Sequence, residues 1–376
     1  MAQSAGFWRR KSPPPPGDPR SILIVKLSAI GDVVHTLPLL EVLRKSFPGA
    51  RIDWLVEEEA ARIVEGHGDI DRVIVSRRKP WQRGLLRSGQ RAGSAREILG
   101  FLRELRSREY DLVIDMQGLL KSGILTGLSR GRRKIGFTWA REGSTLFLSE
   151  APYPVDQRRQ HAVERYLKTA EILGCPVRSW QGRIPVLESD REQVDALLRE
   201  LGLEEKRLVA VNPVARWETK LWEEEKFALL ADRLRDELGL SVLFTGSAGD
   251  RAVIERILGK MRGVAFNLAG RTGLKALAQL YSLCGAVVST DTGPMHIAAA
   301  MNRPVVALFG PTAPWRTGPY GQGHRVIREE MECSPCLRKR CSHRSCMRSI
   351  TVETVFRAVE NVVGHTPKAG PVPQPN

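Results

Sequence analysis

Four loops in this chain carry residues whose types and order could do chemistry. The first is LSAIGD (27–32), directly after the apolar run ILIVK. Gly31 allows the backbone to turn tightly, and Asp32 then stands at the entrance of a helix. It could be a plain N-cap, accepting from the first free amides. It could also be a carboxylate at a cleft edge acting as general base, its ionised form favoured by the helix N-terminus. His35 lies one turn further on and could face the same cleft or pack inward.

The second loop is STDTGPMH (289–296), where an apolar run ends in polar residues and Pro294 supplies a favoured first helical position. The amides around Thr292, Gly293 and Met295 would form an anion site fit for a diphosphate, with Asp291 beside it. His296 in the first turn could donate to a phosphate oxygen or serve the fold. The third loop, NPVARWETKLW (212–222), offers Arg216 and Lys220 as a cation clamp that neutralises a diphosphate without a metal, or as ordinary surface charge. The fourth, TGSAGD (245–250), is glycine-rich, and Asp250 could accept from ribose hydroxyls.

A cluster of four cysteines, Cys333, Cys336, Cys341 and Cys346, follows the spacing C-x2-C-x4-C-x4-C. Four thiolates in a short loop can close a tetrahedral structural zinc site, though x4 spacings are not those of a standard finger or ribbon. Free thiols in a folded loop are the alternative. Cys175 and Cys284 sit in apolar surroundings and read as packing residues.

These loops need a scaffold that presents the ends of strands. Short apolar runs alternate with amphipathic segments along the chain, the pattern of parallel sheets covered by helices. Strands are expected at 21–26, 51–56, 110–115, 208–212, 241–245, 286–290 and 305–309. Helices are expected at 33–46, 94–107, 161–173, 222–238, 250–260, 274–284 and 294–301. The fold class is therefore α/β, with two Rossmann-like domains facing a cleft. The expected organisation is a disordered lead-in over 1–20, a first domain over 21–180, a linker over 181–206 and a second domain over 207–348. A C-terminal helix over 349–364, packing back across the domains, and a disordered tail over 365–376 complete it. Ligands in such sheets bind at the carboxyl ends of strands. Neither half has G-x-G-x-x-G, which argues against a nicotinamide or flavin enzyme.

At 376 residues the chain is long enough for two such domains, and its 42% hydrophobic and 27% charged residues suit a soluble globular protein. No apolar stretch approaches the roughly 18–20 residues of a membrane-spanning helix, and the first residues lack a secretory signal core. The net charge of +16 calls for an anionic partner, and eleven Lys/Arg against two acidic residues lie between Arg72 and Arg108. No nucleic-acid-binding motif accompanies that charge.

Together, VKLSAIGDVVHTLP (25–38), DMQGLLKSG (115–123), NPVARWETKLW (212–222) and STDTGPMHIAAA (289–300) resemble glycosyltransferase family 9, the bacterial heptosyltransferases. The resemblance runs from Ile22 to about Val363. IDWLVEE (52–58), FTWAREG (137–143) and QHAVERY (160–166) are most similar to the heptosyltransferase I branch. The resemblance implies a GT-B fold and inverting, metal-independent transfer of L-glycero-D-manno-heptose from ADP-heptose to the Kdo residue of Kdo-lipid A. Heptosyltransferase II or another family 9 activity is the alternative, followed by a sugar-nucleotide epimerase or a non-catalytic polyanion- or lipid-binding module.

Asp32 would be the base, and Lys220, Thr292, Gly293 and His296, with Arg216, would meet the donor diphosphate. Asp291 would lie near the heptose and Asp250 near the ribose. Lys79, Arg83, Lys121, Arg141, His161 and Arg165 would meet the anionic acceptor. The resemblance further implies no required cofactor and residence on the anionic cytoplasmic face of the inner membrane, without nucleic acid. Residues 77–91 form a longer, more basic loop than the family pattern has.

Overall fold

The computed structural model describes residues 18–156, 159–204 and 206–364. Most of the expected lead-in over 1–20 and the whole expected tail over 365–376 lie outside them. The chain divides into two compact units, Met1–Pro185 and Val186–Asn376.

The first unit holds five strands: β1 Ser21–Val25, β2 Arg51–Glu57, β3 Arg72–Ser76, β4 Glu109–Asp115 and β5 Arg130–Ile135. All pair in parallel, in the order β3-β2-β1-β4-β5. The central strand β1 is an unbroken apolar run because helices cover both faces of a parallel sheet. Its helices are α1 Ile30–Val34, α2 Leu37–Ser46, α3 Glu58–Val64, α4 Arg78–Leu86, α5 Arg91–Leu105, α6 Leu120–Leu128 and α7 Ala162–Ile172.

The second unit holds β6 Leu208–Asn212, β7 Ser241–Phe244, β8 Phe266–Asn267, β9 Ala286–Thr290, β10 Val305–Phe309 and β11 Arg325–Arg328. They are again parallel, in the order β11-β10-β9-β6-β7-β8. The covering helices are α8 Glu188–Glu200, α9 Glu224–Leu238, α10 Arg251–Leu258, α11 Leu274–Leu283 and α12 Gly293–Ala300. The short α13 Pro314–Thr317 and α14 Ser345–Arg348 and the terminal α15 Val352–Gly364 follow. In each sheet the order of connection reverses once, between β1 and β4 and between β6 and β9. The loops leaving those strand pairs frame the crevice where ligands bind in open α/β sheets.

Several expectations change. The helix expected at 33–46 is two, α1 and α2, because the turn at His35 and Thr36 breaks it. The expected loop over 77–91 is mostly α4, fixed by Trp81, which is buried against Phe101 with ring centres 5.0 Å apart. The expected linker over 181–206 contains α8, whose Val194, Leu197 and Leu198 form a buried stripe. The terminal helix places Val355, Phe356 and Val359 in the apolar core of the second unit, with strands β9 and β10.

One buried charge cluster ties the first sheet together. Register sets Arg72 opposite Asp53, and the fully buried Asp53 carboxylate accepts from Arg72 Nε at 3.0 Å, Arg108 Nη1 at 3.2 Å and the Tyr110 hydroxyl at 2.7 Å. Burial, followed by that bond to Asp53, pushes the Tyr110 phenol well up from its ordinary value. Asp53→Ala removes the shared acceptor while both guanidiniums keep an edge in water, so the expected loss is about 2–3 kcal/mol of stability. A lower urea midpoint for the full chain would show it; an unchanged midpoint would mean that the cluster contributes nothing net.

Candidate functional site

In the first unit, chemistry gathers where β1 and β4 end. Lys26, the residue after β1, is 2% exposed. Its ammonium donates to the Met116 carbonyl at 2.9 Å and to the Tyr166 hydroxyl at 2.8 Å, and it stands 4.5 Å from the centre of the Tyr166 ring. An ammonium has no lone pair to accept with. The Tyr166 proton must therefore point elsewhere, and it goes to Asp32 Oδ1, 3.1 Å away. The other oxygen of Asp32 takes the Ala29 amide at 3.2 Å.

Asp32 thus occupies the third position of α1 and caps backwards, as an N3 carboxylate does. Asp32 is therefore not the N-cap itself, which is Ala29; one of its oxygens caps from N3 while the other meets Tyr166. Carboxylate oxygens have further lone pairs, so neither bond prevents Asp32 from accepting a substrate proton. Burial lowers the Lys26 pKa, opposed by the nearby Asp32 and Asp115 carboxylates, and burial raises that of Tyr166, reinforced by Asp32.

The loop after β4 is shaped by Asp115. Its Oδ1 accepts the Gln117 and Gly118 amides at 2.9 Å each, and Oδ2 accepts the Ser122 hydroxyl at 3.0 Å. Gly118 has φ +66, with Ala140 Cα 3.0 Å from where a Cβ would stand, so only glycine fits there. Gln117 Oε1 then accepts the amides of Leu27 and Ser28, which joins this loop to the one that carries Asp32. Lys121 bridges the same loops, donating to Ser28 Oγ at 2.7 Å and Glu57 Oε1 at 2.9 Å. His161 caps α7 and sets its ring edge-on to His35 at 5.1 Å, and Arg165 on α7 is buried.

The remaining acceptor candidates stand apart. Lys79 pairs with Glu59 at 2.6 Å. Arg83 and Arg141 are exposed, Arg141 in the turn whose backbone amide donates to Gly118.

In the second unit the corresponding place is the end of β6 and β9. Lys220 Nζ meets Asp291 Oδ2 at 2.6 Å and the Asp291 carbonyl at 3.1 Å, and Thr312 donates to the same Oδ2 at 2.6 Å. Two of the three ammonium protons are engaged, leaving one to aim at a ligand. Trp217 backs that ammonium, 4.7 Å from its ring centre. Thr292 is the N-cap of α12, with Gly293 and Pro294 opening the helix and His296 buried in it. The Thr292 hydroxyl lies 3.4 Å from Asn212 Oδ1, and Asn212 Nδ2 donates to the Thr245 carbonyl. The three loops after β6, β7 and β9 therefore meet at one end of the sheet. Asp250 there accepts the Ser247 amide and hydroxyl at 2.7 and 2.6 Å, so it holds its own turn as well as facing outward. Arg216 is exposed.

The four clustered cysteines do not assemble into a metal site. Cys333 and Cys336 are exposed, whereas Cys346 is turned into the core beside Gly310. Among the described residues no three His, Cys, Asp or Glu side chains are placed to share an ion. All six cysteines are free thiols. The other three clustered thiols stand near Cys346, whose pKa is raised by burial first and then by Cys333, Cys336 and Cys341.

Sequence reasoning named neither Lys26 nor Tyr166 as a site residue. A lysine closing a buried apolar strand was the available signal, since a buried charge must be held by something. Tyr166 carried none, because its partners lie more than a hundred residues away in the chain.

The model of glycosyltransferase family 9 (heptosyltransferase) matches residues 98–347. The lipopolysaccharide heptosyltransferase 1 of Pseudomonas aeruginosa is 34% identical over 345 residues, 86% of this chain and 87% of that one. The structure of a family 9 glycosyltransferase from Veillonella parvula superposes with a TM-score of 0.78 at 25% identity, covering 92% of this chain and 98% of that one. E. coli heptosyltransferase WaaC with ADP-2-deoxy-2-fluoro heptose gives 0.71 at 29% identity, covering 91% and 99%. The two parallel-sheet units are those of the GT-B fold, and the chain belongs to glycosyltransferase family 9, the heptosyltransferases.

Proposed function

We propose that this chain transfers L-glycero-D-manno-heptose from ADP-heptose to the Kdo residue of Kdo-lipid A, in the building of the lipopolysaccharide inner core. The observation that carries the reading is the carboxylate of Asp32, held by Tyr166 at the switch point of the first sheet. Similarity over 86% of the chain to a lipopolysaccharide heptosyltransferase 1 supports the choice of substrates.

In the proposed reaction Asp32 takes the proton of an acceptor hydroxyl as its oxygen attacks the anomeric carbon of the heptose. The bond from that carbon to the diphosphate oxygen breaks on the opposite face, ADP leaves, and the configuration inverts. The third ammonium proton of Lys220 and the amides opening α12 after Thr292 stabilise the departing charge. Asp291 orients Lys220 and lies near the donor sugar, His296 and Arg216 assist at the diphosphate, and Asp250 lies near the ribose. No step calls for a metal, since cationic groups and helix amides supply the electrostatics. Lys121, His161 and Arg165, with Lys79, Arg83 and Arg141 further out, complement the Kdo carboxylates and lipid phosphates of the acceptor. An acceptor of that kind places the working protein against the cytoplasmic face of the inner membrane.

ADP release in the presence of ADP-heptose and Kdo-lipid A tests the reading. Release should require both, and Asp32→Asn should lower kcat by a factor of about 10^2 or more while ADP affinity holds. Release only with an already heptosylated core would instead assign the heptosyltransferase II step; release without acceptor would sink the transfer reading.

Tyr166→Phe leaves Asp32 in place but removes the bond that orients it. The expected result is a kcat lower by roughly tenfold to a hundredfold with an unchanged KM for ADP-heptose. A change in KM alone would mean that Tyr166 acts on binding. Lys220→Ala should weaken ADP-heptose binding by about tenfold or more, read by titration calorimetry, and equal affinity would remove Lys220 from the donor site.

A further inference from the structure

Among the described residues, the large hydrophobic side chains that stand exposed on the first unit all lie on one layer of it. Helices α4, α5 and α6 cover the same sheet face, since Trp81, Phe101, Leu105 and Leu125 meet in one apolar cluster with Leu23, Val25 and Leu55. Arg106 also donates to the Leu128 carbonyl, joining the ends of α5 and α6.

On the outer side of this layer Leu86 is 82% exposed, with Leu85 next to it on α4 and Leu99 on α5. Leu120, Ile124 and Leu128 recur every four residues on α6 and form one outward stripe. The short turn Ser144–Phe147 extends it. Phe147 packs on Gly123 and Gly127 of α6, while the neighbouring Leu146 is left 76% exposed. None of the exposed large hydrophobics lies on α2 or α7.

The same layer is strongly basic. Arg87, Arg91, Arg96 and Arg103 on and around α5 are exposed. Of the two acidic residues on α4 and α5, Glu97 is already taken by Arg77 and the Trp81 indole, which leaves Glu104, while Glu142 accepts the Leu120 amide where α6 begins. A monomer that keeps to water has no reason to array leucines among arginines in this way.

We propose that the outer surface of α4, α5 and α6 is a docking face for an anionic phospholipid bilayer. Its leucines enter the boundary between headgroups and acyl chains, and its guanidiniums meet lipid phosphates. No helix among the described residues is long and apolar enough to cross a membrane, so contact on one face is the mode this surface suits. Charge selects the occupant. A second copy docking through the same face would bring like charges together. A nucleic acid would satisfy the arginines but leave Leu86 and Leu146 in water, with the one tryptophan of the layer buried and unable to stack on bases.

The stripe starts beside the site already described. Leu120 precedes Lys121, which reaches Ser28 in the Asp32 loop. A face lying on lipid would therefore hold that loop at headgroup level, where a sugar carried on a lipid is presented. This inference rests on the transfer reading for its purpose, but not for the binding itself.

Co-sedimentation of the full chain with vesicles tests it, using phosphatidylcholine alone and phosphatidylcholine with about one third phosphatidylglycerol, enough for an anionic surface potential. The chain should partition onto the anionic vesicles and detach as salt rises. Leu86→Ser combined with Leu146→Ser should lower partitioning by about tenfold, and Arg87→Glu with Arg96→Glu should lower it as strongly. Transfer to a deacylated, water-soluble acceptor, measured in parallel, should be unchanged in both variants, because none of these residues touches the site.

Failure of the unaltered chain to bind anionic vesicles overturns the proposal, as does full binding by both variants. So does tighter retention on RNA than on vesicles, or a loss of self-association in the variants in place of a loss of lipid binding. Vesicle binding by a chain that transfers heptose to neither acceptor would overturn the transfer reading and leave the docking face standing.

Discussion

Lys26, the residue after the buried parallel strand β1, brings an ammonium into the interior of the first unit, where it is 2% exposed. Its ammonium is desolvated and must be fully met by acceptors. The Met116 carbonyl beyond β4 and the Tyr166 hydroxyl on α7 meet it. Because the ammonium can only donate, it decides the direction of the next bond, and Asp32 receives the phenolic proton. One buried cation therefore joins β1, the loop after β4 and α7, and gives the carboxylate of α1 a defined orientation. Without Tyr166, Asp32 would keep the backbone amide of Ala29 but lose the hydroxyl that meets its other oxygen.

The second unit solves the opposite problem. In the proposed reaction its site receives negative charge, and its own carboxylate is already paired. Asp291 is 6% exposed, and Lys220 and Thr312 both serve its Oδ2. The ion pair fixes the position of the Lys220 side chain, while α12 opens after β9. In the proposed reaction a diphosphate would meet there the Lys220 ammonium and the N-terminus of α12, both held at the strand ends. In the first unit a cation organises a carboxylate; in the second a carboxylate organises a cation.

Much of this architecture was legible in the chain because buried parallel strands are plain apolar runs. The bounds of β6, β9 and β10 match the expected ones, and β1, β2, β4 and β7 differ from theirs by a residue. The edge strands β3 and β5, RVIVS and RGRRKI, escaped notice, since one side of each faces water and admits charge. Helix α4 was hidden by Pro80 and its arginines, and becomes a helix only because Trp81 finds Phe101 and Glu97. Candidate site residues were legible where they follow strands, as Asp32, Lys220, Asp291 and Thr292 do. Tyr166 lies mid-helix on α7, where sequence shows only an aromatic among apolar neighbours. The cysteine spacing showed a cluster but not its exposures, with Cys333 and Cys336 facing water and Cys346 packed against Gly310.

The basic charge of the chain acquires a structural meaning once individual arginines are followed. Arg72 and Arg108 serve a buried carboxylate, Arg77 and Arg78 hold Glu58 and Glu57, and Arg133 pairs with Glu150. Those charges are paired within the first unit. Outward arginines occur on both units, but only on the α4–α5 layer do Arg87, Arg91, Arg96 and Arg103 stand beside Leu85, Leu86 and Leu99. Charge alone would be compatible with any polyanion, and leucines alone with any apolar partner. Their coincidence on one layer, continuous through Lys121 with the Asp32 loop, narrows the partner to a surface that is both anionic and apolar. The same side of the first unit that prepares a base for a sugar hydroxyl is thereby suited to the lipid on which that sugar would be carried.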